Sequence, residues 1–186
     1  YRDRDRNFGS RLFTRQELDA RWGKGKWLAM ARFEHVQPNG KKRPIDDGKR
    51  YGHNLAAEYT ETLDCCTAIQ PGINVREFHR ALKRRKLTKK NMPVGAKFES
   101  GTEDMPDAYR WVPNTPVEDH LNVVGVYDED IAAFLYQILY GQVFGKSAAV
   151  INFHRPQRLM QSLIRRWLMI LASKYFDDAT LQDLNV

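Results

Sequence analysis

The chain has 186 residues, of which 42% are hydrophobic and 28% charged, a composition that supports a buried core and suits one globular domain or one large lobe of a bigger enzyme. No run approaches the about 18 apolar residues of a membrane span, and the opening YRDRDRNFGS has neither an apolar signal core nor an amphipathic presequence, so the expected setting is intracellular, cytoplasm or nucleus, with no membrane partner. Adjacent Cys65 and Cys66 exclude a disulfide framework or a four-ligand zinc site and suit a reducing compartment, and the whole net charge of +7 falls in residues 41 to 90, which hold thirteen basic and six acidic side chains. Such a basic stretch attracts a phosphate backbone, although a solubilising helix face has the same composition.

In chain order, Thr14-Arg15-Gln16-Glu17 is a capping box that opens a helix carrying Leu18 and Trp22 on one face and ending at Gly23 and Gly25. The apolar run Trp27 to Phe33 fits either strand or helix. Pro38-Asn39-Gly40 is a turn, and Lys41 to Asp47 reads as the return strand of a basic hairpin, which Pro44 restricts to a sheet edge or a bulge. Val75, Phe78 and Leu82 recur at helical spacing up to about Leu87, with Arg80, Lys83, Arg84, Arg85 and Lys86 on the other faces. Asn91 to Gly95 breaks that helix.

After a polar lead from Ser100 to Glu103, Asp104 to Val112 reads as strand-forming, and Val123 to Tyr127 as a strand. Ile131 to Val143 carries both periodicities. Ala148 to Phe153 and Leu159 to Leu171 read as helix, interrupted or kinked at Pro156, with Leu159, Leu163, Trp167 and Ile170 as a core-facing stripe. What remains before Val186 leaves room for one more strand. No internal repeat or flexible linker is visible.

Two acidic spots carry the chemistry, Asp104-Met105-Pro106-Asp107-Ala108-Tyr109 and Tyr175-Phe176-Asp177-Asp178. Carboxylates brought together repel unless a divalent cation neutralises them, and hard oxygen donors without His or Cys point to Mg²⁺ or Mn²⁺. Two such ions about 3.5–4 Å apart can activate an attacking hydroxyl and stabilise the leaving oxygen of an in-line phosphoryl displacement. Each spot alone is weak, since a solvated turn or a helix N-cap has the same residues.

Their order and spacing carry more. Asp104 to Pro113 resembles motif A of retroelement and retroviral reverse transcriptases, and Tyr175-Phe176-Asp177-Asp178 resembles their motif C, 73 residues after Asp104. Phe144-Gly145-Lys146-Ser147 through Arg155 is similar to motif B, and Lys42-Arg43-Pro44-Ile45-Asp46-Asp47 to the fingers motif. The four stand in the family's order. The sequence departs at Pro106 and Ala149, and Gln142 precedes the Phe-Gly pair where the family carries a Gln or similar residue near the turn. Motifs D and E, a thumb and an RNase H domain would lie beyond Val186, on the parent polypeptide.

The resemblance implies an α+β fold of right-hand polymerase type, with fingers at residues 1–98, a palm at 99–186, an antiparallel palm sheet backed by helices, and no thumb. It implies Asp104 and Asp177 as ligands of two Mg²⁺ or Mn²⁺ ions, with Asp178 as a weaker ligand and the Met105 carbonyl completing one site. Arg43, with Lys41 or Lys42, would clamp the triphosphate of a deoxynucleotide, for which a planar guanidinium is suited. Asp107, Ala108, Gln142, Phe144 and Gly145 would line the nucleotide, and Tyr109 would be the steric gate against a 2′-hydroxyl. Tyr175 would meet the primer and its RNA or DNA template. The basic helix matches no family motif; contact of Arg80, Lys83, Arg84 and Lys86 with nucleic acid rests on charge alone. The implied activity is RNA-directed DNA synthesis, weak in a fragment with no thumb to hold the product. The alternatives are an RNA-directed RNA polymerase, which Tyr109 and Tyr175 argue against, a catalytically inactive nucleic-acid-binding remnant, and a basic scaffold domain whose three acids lie far apart.

Overall fold

The structure is a computed structural model that describes residues 2–88 and 90–185; Tyr1, Lys89 of the basic stretch and Val186 lie outside it. A single helical turn, α1 (Arg2–Asp5), leads into β1 (Gly9–Phe13). At the capping box, Glu17 Oε2 accepts from the Thr14 N–H at 2.7 Å and Thr14 Oγ1 accepts from the Glu17 N–H at 3.3 Å, which starts α2 (Arg15–Trp22). The ambiguous run after it is a strand, β2 (Ala29–Val36). It pairs with β3 (Lys42–Asp47) from Val36↔Lys42 to Ala31↔Asp47, across a turn in which Gly40 supplies a φ of 78°.

The basic helix, α3 (Gln70–Arg84), begins five residues earlier than periodicity suggests, because Pro71 in its first turn is preset for a helix start. The next strand, β4 (Lys97–Asp104), ends at Asp104 instead of beginning there. Asp107, at φ 55°, turns the chain, and Ala108–Trp111 form a 3₁₀ turn. A polar stretch such as KFESGTED becomes a strand through its pairing partner, which local propensity cannot report.

A second 3₁₀ turn (Pro116–Leu121) precedes β5 (Val123–Asp128) and β6 (Ala133–Leu139), an antiparallel hairpin that settles the mixed periodicity of that region as strand. One continuous helix, α4 (Ser147–Trp167), runs through Pro156, and Leu171, expected at a helix end, opens β7 (Leu171–Tyr175). The chain closes with β8 (Asp178–Asn185). The protein is therefore α+β. Among the described residues no helix is long and apolar enough to cross a membrane.

The chain forms two compact units, Tyr1–Thr62 with Asp107–Asn152, and Leu63–Pro106 with Phe153–Val186. The expected boundary at 98/99 falls inside β4, within the second unit. The first unit holds a five-stranded sheet of order β1-β6-β5-β2-β3, antiparallel except for the β2–β5 pair, with β3 and its Pro44 at the edge. Leu18 of α2 packs with Val123 and Ile138, bordered by Trp22, Trp27 and Tyr136. Met30, Val124, Leu139 and Val143 form a second cluster. Each such fully buried aliphatic side chain contributes about 1.5–3 kcal/mol.

The second unit holds the antiparallel sheet β4-β8-β7. Asn74 Nδ2 of α3 donates to Ser173 Oγ, and the Phe78 ring of α3 lies 4.9 Å from that of Phe98. By strand alternation Phe98 and Ser173 share a sheet face with Asp104, Tyr175 and Asp178. From α4, Gln161 and Arg165 donate to the Ala172 carbonyl. The buried positions of α4 are Ala149, Phe153 and Gln157, not the expected stripe: Leu159 is 61% and Trp167 77% exposed. Periodicity located an amphipathic helix but chose its wrong edge, because Gln157 is polar and yet satisfied inside.

Candidate active site

In the second unit, β7 and β8 are joined by a two-residue turn, closed by the pair Tyr175↔Asp178, with Phe176 at φ 53°. β4 lies along the other side of β8, which puts Asp104 directly opposite Asp178. The Met105 N–H donates to the Asp177 carbonyl at 3.3 Å, tying the end of β4 to the turn. The acids separated by 73 residues in sequence thus meet at one end of one sheet. Facing residues of an antiparallel pair have Cα atoms about 4.5–5.5 Å apart, so the Asp104 and Asp178 carboxylates repel.

Asp104 and Asp178 are exposed and Asp177 is half-buried, and among the described residues none of the three has an ion-pair partner. The donors are carboxylate oxygens alone, which fits a hard divalent cation in kind. Among the described residues, no group of three or more His, Cys, Asp or Glu side chains stands close enough together to hold a metal ion, Asp104, Asp177 and Asp178 included. Below the acids, Gln157 Nε2 donates to Met105 Sδ at 3.4 Å, and Lys174 Nζ donates to Gln157 Oε1. Burial pushes the Lys174 ammonium below its ordinary pKa. Tyr175 is 52% exposed, edge-on to Phe176 at 4.6 Å.

The basic helix presents cations of two kinds. Arg80 is exposed and engaged by Glu77 at 2.7 Å. Lys83, Arg84 and Lys86 are exposed and, among the described residues, have no ion-pair partner.

The first unit brings Asp107, Ala108, Tyr109, Gln142 and Phe144 together around the 3₁₀ turn at Ala108–Trp111, and leaves Lys41, Lys42 and Arg43 on the hairpin. Tyr109 is buried at 8% exposure, edge-on to Phe144 at 4.8 Å, and Ala108 is buried beside it. Asp107 pairs with Arg6. The Gln142 N–H donates to the Val112 carbonyl, and Gln142 Nε2 donates to Asn114 Oδ1 at 2.7 Å. Asn114 Nδ2 in turn donates to the Leu139 and Gly141 carbonyls, both at 2.9 Å. Gly141 is required here, since a Cβ would stand 2.2 Å from the Arg110 carbonyl oxygen. Of the hairpin cations, Arg43 donates to Gln37 Oε1 and Lys42 pairs with Glu34, both on the surface; Lys41 is exposed and, among the described residues, has no ion-pair partner.

Asp46, in the fingers-like motif, is an internal counter-ion. Its side chain is 1% exposed, and Arg32 binds both its oxygens at 2.6 and 3.1 Å. Arg110 lies 3.6 Å away, and Asp3 joins both arginines. Nearby in sequence to Gly145, Lys146 donates to Asn122 Oδ1, and burial holds its ammonium below the ordinary pKa. His53 is buried, and among the described residues its Nδ1 has no hydrogen-bond partner. Burial pushes its pKa down, the Leu28 carbonyl opposes this, and the charge of Lys146 adds to it.

Arg110 and Asn114 organise this cluster and carry no sequence signal of their own. Their partners lie 32 and 28 residues away, and a lone Arg after Tyr109 or Asn after Pro113 reads as surface. No family model matches the chain, and no curated protein matches it.

Proposed function

We propose that this chain is the fingers-and-palm part of an RNA-directed DNA polymerase, a reverse transcriptase that adds deoxynucleotides to a primer 3′-hydroxyl along an RNA or DNA template. The observation that carries the reading is the opposition of Asp104 and Asp178 across β4 and β8, beside the Asp177 turn and with no cation among the described residues paired to any of the three. A protein gains no stability from that arrangement, so the reading gives it a ligand from outside.

Asp104, Asp177 and Asp178, with the Met105 carbonyl, would hold Mg²⁺ or Mn²⁺. Two such ions, when bound, neutralise charge on the reacting phosphoryl group and lower the pKa of a bound hydroxyl. The chain's own residues bind and orient. Arg43 on the edge strand β3, and Lys41 just before it, carry cations for a triphosphate. The Tyr109 ring, held by Phe144, sets how much room a sugar has. Lys83, Arg84 and Lys86 offer exposed charge to template and primer phosphates, each contact releasing a condensed counterion. Thumb and RNase H segments would come from the parent polypeptide, in cytoplasm or nucleus.

The test is extension of a labelled DNA primer on an RNA template. Expected is incorporation of deoxynucleotides that requires Mg²⁺ or Mn²⁺ and falls about a hundredfold or more in Asp177→Asn at an unchanged unfolding midpoint. Absence of extension, or extension undiminished in Asp177→Asn, would sink the reading; binding of template and primer without extension would favour the inactive remnant.

A further inference from the structure

Asn54 belongs to no motif, yet its amide holds two peptide groups 91 and 93 positions ahead of it. Asn54 Nδ2 donates to the Gly145 carbonyl at 3.0 Å, and Asn54 Oδ1 accepts from the Ser147 N–H at 2.9 Å. Ser147 is the first residue of α4, and the first N–H groups of a helix have no partner within it. Asn54 is therefore a helix cap delivered from a distant loop, and the same side chain fixes the carbonyl of the turn just before that helix.

The surrounding backbone leaves the turn little freedom. The Asn54 N–H donates to the Gly48 carbonyl at 3.0 Å. A Cβ on Gly48 would stand 2.5 Å from the Gly145 carbonyl oxygen, and one on Gly145, whose φ is 111°, would stand 1.8 Å from the Asp46 carbonyl oxygen. Two backbones thus touch at a place that only glycines permit. On one side, Asp46 is locked by Arg32 at the end of the strand that carries Arg43. On the other, Phe144 rests against Tyr109.

We infer that Asn54 is a positioning residue that sets the Phe144-Gly145 turn, and through Phe144 the Tyr109 ring, so that it governs nucleotide affinity and sugar choice and not the transfer step. This rests on the polymerase reading above. The clamp itself does not, which allows the two to be tested apart.

Asn54→Ala and Asn54→Asp in the 186-residue chain are compared with wild type in two measurements. Amide hydrogen exchange over residues 144–149, read by mass spectrometry, needs no activity. Loss of both bonds in Asn54→Ala is expected to speed exchange there about tenfold, whereas Asn54→Asp, which keeps the acceptor for Ser147, retains most of the protection. Single-nucleotide extension on an RNA template is run with dTTP and with UTP. For Asn54→Ala the KM for dTTP is expected to rise about tenfold with kcat within about twofold, and the preference for dTTP over UTP to fall. Asn54→Asp is expected to lie between Ala and wild type.

Unchanged exchange in Asn54→Ala overturns the clamp. Faster exchange with a wild-type KM and sugar preference, or a loss confined to kcat, overturns the nucleotide role. Wild-type chain that is protected at residues 144–149 yet extends no primer overturns the polymerase reading and with it that role, while the clamp stands. If Asn54→Ala does not fold, Asn54→Asp carries both measurements, and wild-type values in both overturn the inference.

Discussion

Asp46 and the Asp104–Asp178 pair present the same chemical group in opposite conditions. At Asp46, with 1% exposure, Arg32 reaches both oxygens and Arg110 stands 3.6 Å away. At the sheet end of the second unit, two carboxylates face each other in solvent, and among the described residues neither they nor Asp177 have an ion-pair partner. A buried charge that serves the fold is saturated by the fold, because an unpaired one would cost several kcal/mol. Carboxylates opposed in solvent add nothing to folding, and the proposed metal-dependent function gives them a cation from solution. The difference separates a structural acid from a candidate catalytic one without reference to any motif.

The largest effect comes from breaking the saturated side. Asp46→Ala takes from the buried Arg32 and Arg110 guanidinium groups the carboxylate they share and leaves them Asp3, and the expected loss is about 3 kcal/mol in denaturant unfolding, a large share of an ordinary domain's stability. Asp178→Asn is the mirror experiment. Unfolding stability is expected to stay within about 0.5 kcal/mol of wild type, or to rise as the repulsion with Asp104 is relieved, while primer extension falls about a hundredfold. If both variants lose comparable stability, the contrast is gone.

Smaller effects sharpen the picture of the first unit. Tyr109→Val removes the ring that Phe144 supports, and the discrimination against ribonucleotides is expected to fall about tenfold or more in single-nucleotide extension; unchanged sugar selectivity would leave Tyr109 as a packing aromatic. The smallest concerns pH. The lowered pKa of His53 means that the folded chain favours the neutral ring and the unfolded chain binds more protons below about 6.5. Its contribution is complete above about pH 6.5 and is lost as pH falls toward the lowered folded value. The melting temperature of wild type is expected to drop from pH 7 to pH 5, and His53→Phe to flatten that slope.

Legibility in the sequence followed the range of the interactions. The Thr14–Glu17 box, the turn at Pro38 to Gly40 and the strand from Val123 are set by residues a few positions apart, and the structure has all three. The acids could be singled out from residue type and spacing. Their placement on one sheet end depends on β8 pairing with both β4 and β7, which no local pattern encodes. Asn54, Arg110 and Asn114 were invisible because each acts through side-chain bonds to backbone or amide groups 25 to 93 residues away. The α4 stripe misled for a physical reason: Leu159 and Trp167 sit at helical spacing on the open side, while Gln157 is accepted inside because Lys174 and Met105 satisfy it.

The most direct test of the unpaired acids is Mn²⁺ titration of the chain, followed by the electron paramagnetic resonance signal of free Mn²⁺. Wild-type protein is expected to remove Mn²⁺ from the free pool, Mg²⁺ to compete it back, and the double variant Asp104→Asn/Asp178→Asn to leave the free signal close to that of buffer. Equal Mn²⁺ uptake by wild type and the double variant, or none by wild type, would contradict the assignment of these carboxylates to a metal-dependent site.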